Sequence, residues 1–217
     1  MAEPRLIAEG RASEILDLGG GRVLRRFKSG GSPEREALVM RHAREHGFPV
    51  PEVFEVAADS LVLERIDGPT MLEAVFEQPA TLAEQTRVLV ELHERLHRID
   101  APDGLRPLGD GDRLLHLDLH PANVIVSPAG PVVIDWANAR RGASLLDVVY
   151  TWIIVATSNG TGRLGRDFVE VFLSYFDRDE LLAHVPLAAE HRRADPNVLE
   201  EERERIRALE LLELLTQ

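Results

Sequence analysis

The stretch HLDLHPANVIVSPAGPVVIDW, residues 116–136, decides how the rest of the chain is read. It contains His-x-Asp-Leu-x-x-x-Asn, as His116, Asp118, Leu119 and Asn123. A β-branched run, Val124 to Val126, follows. A Ser-Pro-Ala-Gly-Pro turn then leads to a second apolar run, Val132 to Ile134, ending in Asp135. Two such runs around a turn predict a hairpin that returns Asp135 to the end where Asn123 began. A loop carboxylate, a nearby amide and a second carboxylate after a hairpin are the groups that place a hydroxyl and Mg²⁺ beside a nucleoside triphosphate. Asp118 is then the group that orients the hydroxyl or takes its proton. Asn123 and Asp135 offer the hard oxygens that Mg²⁺ prefers. His116 joins Asp118 in the catalytic loop, where its imidazole can fix the loop.

The same residues admit a second chemistry. His116, Asp118 and His120 alternate, and on a strand they would share one face, as in a metallohydrolase. Pro121 suits a loop better than a strand interior, and that reading leaves Asn123 and Asp135 without a task.

Working outward toward the N-terminus, the first third reads as β-rich. Leu6 to Leu18 forms one or two strands, Gly19 to Gly21 a turn, and Val23 to Lys28 a short strand. Ser32 is placed as N-cap and Pro33 at the first position of a helix reaching Glu45. Val53 to Val56 and Leu61 to Ile66 are two more strands. Gly68-Pro69 breaks this pattern, and from there helices dominate. Thr81 to Ile99 carries Val88, Leu92, Leu96 and Ile99 on one stripe, with His93 and His97 beside it as structural histidines rather than a metal pair. Ala101 to Arg113 reads as a loop. Ser144 to Thr157, Arg163 to Phe176, Glu180 to His191 and Val198 to Leu215 read as helices. The expected class is α+β, with a small β-rich N-terminal lobe at 1–66, a larger mainly helical lobe at 67–217, and a site between them.

Composition narrows the function. With 25 Lys+Arg against 37 Asp+Glu, the net charge of −12 argues against a nucleic-acid-binding surface. Residues 1–66 hold 10 basic and 11 acidic side chains, while residues 67–217 hold 15 and 26. That excess of acid serves solubility and is equally compatible with a cationic acceptor, such as an aminoglycoside or amino alcohol, or with a neutral sugar. The chain has no cysteine, which removes disulfides, thiolate metal sites and a Cys nucleophile. The N-terminal MAEPRLIAEG lacks the pattern of a secretory signal, and no run is long and apolar enough for a membrane span. The expectation is a cytoplasmic protein with no membrane partner; the sequence carries no signal for an oligomeric state.

Residues 116–124 and Val133 to Trp136 resemble the two catalytic motifs of the aminoglycoside phosphotransferase family. That family is a small-molecule branch of the bilobal protein-kinase-like fold. Glu36 to Met40, His46 to Pro51 and Leu63 to Gly68 resemble its small-lobe landmarks. The resemblance runs from about Leu6 to Thr151. It implies an ATP- and Mg²⁺-dependent transfer of phosphate to a hydroxyl of a small molecule. Asp118 is the implied base, Asn123 and Asp135 hold Mg²⁺, and the backbone from Glu64 to Ile66 meets adenine. A third-strand cation should hold the α- and β-phosphates and a helix carboxylate should hold that cation. Arg25 stands where the family usually has lysine, and Glu36 is its partner. Lys28 falls on the opposite strand face. Gly10 to Ser13 is a candidate phosphate-covering loop. No long segment follows Trp136, which weighs against a protein substrate. Asp147, set among apolar residues, is either a brace for the His116 loop or a helix-start carboxylate. The departure at Arg25 keeps a nucleotide-binding regulatory module as the alternative.

Overall fold

The computed structural model describes residues 4–10, 12–28, 31–159 and 162–215. Five antiparallel strands come first in space: β1 (Arg5–Glu9), β2 (Ser13–Gly19), β3 (Arg22–Phe27), β4 (Val53–Val56) and β5 (Ser60–Glu64), ordered β1-β2-β3-β5-β4. The turn from β2 to β3 is Gly19-Gly20-Gly21, with φ of 74°, 61° and 73°, a backbone that only glycine adopts without strain. On β3 the alternation places Val23 and Arg25 inward and Arg26 outward, where Arg26 pairs with Glu14. Helix α1 (Pro33–Glu45) packs Ala37, Met40 and Ala43 into the core and carries Glu36 on the same buried side. Ser32 holds the N-cap position but its side chain caps nothing; the proline at the next position and Glu34 and Glu36 in the first turn favour the start instead.

The chain crosses to the helical region at Gly68-Pro69. Gly68 has φ 147°, and a Cβ there would meet the Val126 carbonyl oxygen at 2.4 Å. Val126 N–H donates to the Pro69 carbonyl at 2.8 Å, so the crossing is stitched to the later hairpin. Helix α2 (Met71–Glu77) follows, where no helix was expected. Thr70 and Glu73 form a reciprocal capping box at its start. Helix α3 (Leu82–Leu96) buries Leu89, Leu92 and Leu96, and with them His93, which is wholly inside rather than beside the stripe.

The expected loop before Arg113 contains β6 (Pro107–Leu108). It joins β10 (Arg140–Gly142) and β7 (Arg113–Leu115) in a small sheet of order β6-β10-β7. The hairpin is β8 (Val124–Ser127) with β9 (Gly130–Val133), pairing Val124 with Val133 and Ile125 with Val132. Helix α4 (Ser144–Thr157) is buried nearly all round and is the axis of the helical region. Around it lie α5 (Gly162–Leu173), α6 (Arg178–Leu182), α7 (Val185–Ala194) and α8 (Glu200–Leu215). The single helix expected over 180–191 is two, α6 and α7, with Pro186 near the start of the second. Among the described residues no helix is long and apolar enough to cross a membrane.

Candidate active site

β7 delivers the chain into the loop His116 to Asn123, and the geometry there is set from behind. Asp147, fully buried on α4, accepts the Leu117 N–H at 2.6 Å and the His116 N–H at 3.1 Å. His97 Nε2 lies 3.2 Å from the same carboxylate. Burial pushes the Asp147 carboxyl up, but the His97 hydrogen bond and nearby imidazoles outweigh it and hold the group down at about 2. One turn along α4, the Thr151 hydroxyl donates to the Leu119 carbonyl and contacts His93 Nε2 at 3.0 Å. Of the two readings of Asp147, the geometry is that of the brace.

Leu117 sits at φ 58° and Asp135 at φ 66°, the only described non-glycine residues in this region of φ. Each is a left-handed backbone that an L side chain adopts at a cost of about 1–2 kcal/mol. The bonds from Asp147 hold the first. β7 ends at Leu115, so His116, Asp118 and His120 do not share a strand face, although His120 Nε2 lies 3.6 Å from Asp118 Oδ1. Among the described residues the ligand atoms of these three do not converge as a metal-holding group. His116 is fully buried, with Nε2 3.1 Å from the Ile134 carbonyl and Nδ1 accepting the Asp118 N–H at 3.2 Å. Its ring packs against Trp136 at 4.6 Å between centroids, and Trp136 stands edge-on to Phe48. His116 thus links the Asp118 loop to the segment between the end of β9 and Asp135.

Asp118 itself is partly exposed. Asn123 Nδ2 donates to the Asp118 carbonyl and to its Oδ2, both at 2.9 Å. With His120 Nε2 also 3.3 Å away, the amide nitrogen faces three acceptors, which leaves Asn123 Oδ1 without a hydrogen bond among the described residues and available to a cation. Ile134 N–H donates to the Asn123 carbonyl at 3.0 Å, holding the two ends of the hairpin together. Asp135 keeps 41% of its side chain exposed, with Oδ1 2.6 Å from Arg25 Nη2. Desolvation in the cleft raises its pKa, but the Arg25 charge and hydrogen bond overcome this and hold the carboxylate below its usual range. An amide oxygen and an ionised carboxylate are a fitting pair for Mg²⁺.

Arg25 is buried, and Glu36 Oε1 lies 3.2 Å from its Nη1. Arg25 therefore touches α1 on one side and Asp135 on the other. Arg25 Nε and both Glu36 oxygens lack an aligned hydrogen-bond partner. Burial pushes the Glu36 carboxyl up to about 7, against the opposing pull of Arg25. Of these unmatched atoms Arg25 Nε is a donor and the two Glu36 oxygens are acceptors. Lys28 points away, pairing with Glu9 at 2.6 Å. The Glu64 side chain accepts the Glu52 N–H, and Ile66 makes no backbone hydrogen bond among the described residues. In the Gly10 to Ser13 turn, Gly10 N–H donates to the Ser13 carbonyl at 2.8 Å; Arg11 lies outside the described residues.

The sequence reading missed Arg192. From α7 its Nη1 reaches 3.6 Å from Asp118 Oδ1, while Nη2 holds Glu202 at 2.9 Å. The contact is long-range, and no local pattern marks it. Arg35, Arg106, Arg140, Tyr150 and His191 were also not singled out. With Arg25 they line a cavity of about 630 Å³ that extends past Leu117.

A family model described as the phosphotransferase enzyme family matches residues 5–115 and 103–184. The fold is similar to that of a thermostable mutant of aminoglycoside phosphotransferase APH(4)-Ia in ternary complex with AMP-PNP and hygromycin B. That match has a TM-score of 0.71 at 17% identity and covers 97% of this chain and 93% of the other. A choline/ethanolamine kinase family protein from Mesorhizobium loti matches with a TM-score of 0.56 at 15% identity, over 99% and 87% of the two chains. In sequence, the probable bifunctional tRNA threonylcarbamoyladenosine biosynthesis protein of Methanoculleus marisnigri is 26% identical over 183 residues, 76% of this chain and 31% of that protein. The chain spans about a third of that relative's length. The fold is α+β and protein-kinase-like.

Proposed function

Because the chain belongs to the phosphotransferase enzyme family, we propose that it transfers the γ-phosphate of ATP to a hydroxyl of a small molecule, with Asp118 as the base. The observation that carries this reading is the state of Asn123. Its amide nitrogen bonds the Asp118 carbonyl and carboxylate, so one residue orients the base and keeps its own oxygen free of these bonds. Residues 1–66 form the nucleotide lobe and 67–217 the catalytic and acceptor lobe.

In this reading Arg25 holds the α- and β-phosphates, and Glu36 keeps Arg25 in place. The backbone from Glu64 to Ile66 meets the adenine edge. Asn123 Oδ1 and the Asp135 carboxylate hold Mg²⁺, which when bound neutralises charge on the phosphate oxygens. Asp118 orients the acceptor hydroxyl and accepts its proton. The acceptor O–P bond forms as the bridging bond to the γ-phosphorus breaks, and ADP leaves. His116, Asp147 and Thr151 keep the Asp118 carboxylate in register without touching substrate.

The test is transfer of labelled γ-phosphate by wild type and Asp118→Asn over a panel of hydroxyl compounds. The variant is expected to lose about 10²–10⁴-fold in kcat while binding Mg-ATP as before. Nucleotide binding with no phosphorylated product from any acceptor would favour the alternative, a regulatory nucleotide-binding module.

A further inference from the structure

The cavity beside the catalytic loop carries a charge opposite to that of the region around it. Arg35 reaches it from α1, Arg106 from the segment before β6, and Arg140 from β10. Arg35 Nη2 lies 3.4 Å from the Ala137 carbonyl. Arg140 Nη1 donates to the Ala139 carbonyl at 3.0 Å and to that of Asn138 at 3.3 Å. Among the described residues none of the three is paired with a carboxylate, whereas most arginines elsewhere in the chain are. The carboxylates on the cavity wall are Glu36 and Asp195. Glu36 already faces Arg25, and Asp195 Oδ1 accepts the Asn197 N–H at 2.8 Å. Tyr150 and His191 complete the wall, joined by a short hydrogen bond from the Tyr150 hydroxyl to His191 Nδ1.

Mutual repulsion is felt inside the cluster. Arg140 is held below the usual arginine range, first by burial and then by the charges of Arg35 and Arg106. Four arginines, Arg25, Arg35, Arg106 and Arg140, face two carboxylates on this wall, Glu36 and Asp195, of which Asp195 acts on Arg140; the excess of positive charge raises the free energy of the empty cavity, and an anion relieves it. The cavity adjoins the base: Leu117 lines it, Asp118 follows Leu117, and Arg192, next to His191, is 3.6 Å from Asp118 Oδ1.

We propose that the acceptor carries an anionic group, a phosphate or a carboxylate, which Arg35, Arg106 and Arg140 hold while its hydroxyl faces Asp118. This rests on the phosphotransferase reading of the same site. It opposes the cationic acceptor with which the acidic composition of residues 67–217 is compatible, because net charge describes a whole surface and a substrate meets one wall of one cavity. Polycationic acceptors are disfavoured by the same arginines that attract the anion.

The direct test does not depend on turnover. Inorganic phosphate is titrated into the protein with the nucleotide site filled by Mg-AMP-PNP, and again into Arg106→Gln and Arg140→Gln. Phosphate is expected to bind wild type and to bind each variant at least tenfold more weakly, with AMP-PNP affinity unchanged. Failure of phosphate to bind wild type, equal binding by both variants, or a loss confined to AMP-PNP would each overturn the proposal. The last outcome would assign these arginines to the nucleotide. If AMP-PNP itself does not bind, the nucleotide reading falls, and the phosphate titration without it still decides the anion site. Turnover of glucose 6-phosphate and gluconate against glucose and kanamycin then separates phosphate from carboxylate. A preference of at least tenfold in kcat/KM for one of the anions is expected. Equal or better use of glucose or kanamycin would sink the anionic acceptor and leave the phosphotransferase reading standing.

Discussion

The two sides of the cleft are built on different terms. Behind the catalytic loop, Asp147 satisfies two backbone N–H groups and a histidine, and Thr151 ties down a third loop residue. Only His93 Nδ1 lacks a partner there. On the facing side, Arg25 and Glu36 are just as buried but poorly matched, with Arg25 Nε and both Glu36 oxygens left over. A well-satisfied polar network fixes one geometry. The loop side is therefore set by its own bonds, whereas the Arg25–Glu36 side leaves buried polar atoms unmatched.

The largest expected effect probes the loop side. Asp147→Ala strands two buried N–H groups and removes the His97 partner, and should cost about 3–5 kcal/mol in denaturant unfolding. It should also lower kcat, because Leu117 loses the bond that holds its left-handed backbone. Arg25→Ala should cost less stability, about 1–2 kcal/mol, because Glu36 takes up a proton instead of remaining charged. Its main effect should be an increase of at least tenfold in the KM for ATP. Equal stability losses in the two variants would erase the contrast.

Gly68→Ala acts on stability on the same scale as Arg25→Ala but leaves nucleotide affinity alone. Its new methyl group meets the Val126 carbonyl at 2.4 Å, and the loss should be about 1–3 kcal/mol, read from the thermal midpoint.

The smallest and most diagnostic effect is that the halves respond to pH with opposite signs. His93 is held neutral down to about 3 by burial, and Asp147 is held ionised to about 2. Their contributions are complete above the ordinary values, 6.5 and 3.8, and are lost as pH falls toward the folded values. Glu36 runs the other way. Raised by burial from 4.5 to about 7, it contributes fully below 4.5, and that contribution is lost as pH rises through about 7. Each slope is at most about 1.4 kcal/mol per pH unit. His93→Gln should remove the rise in stability between about 3 and 6.5, leaving the Asp147 contribution below it, and Glu36→Gln the fall between 4.5 and about 7; because the two oppose each other from 4.5 to 6.5, each variant should tilt that shared window in the opposite direction, measured as unfolding free energy against pH.

What could be read from sequence follows the range of the interactions. The Asn123–Asp135 hairpin, the five strands and α4 are local, and periodicity and turn residues were enough to place them. Helix α2 is equally legible: Thr70-x-x-Glu73 is a capping-box pattern that opens it. The break between α6 and α7 falls near Pro186, another available signal. Other features were not legible. Arg192 reaches Asp118 from a helix separated from it by most of the helical region. Arg35, Arg106 and Arg140 come together from three elements that share no pattern. His93 shows the same limit: amphipathic spacing left it at the margin of a stripe, and packing against Thr151 put it inside.

The stitch between Pro69 and Val126 has a mechanical meaning. The strand that leaves Asn123 and the segment that joins the two halves of the molecule share that hydrogen bond, and Gly68 lets the backbones approach closely enough to make it. The hairpin is held a second time, where Val133 N–H donates to the Pro49 carbonyl at 2.9 Å. Any rotation of one half against the other that keeps both bonds is confined to the axis through them. Points near an axis travel least, and the hairpin lies along this one. The outer strand β1, three strands away from β5 in the sheet, stands on the long arm of that hinge.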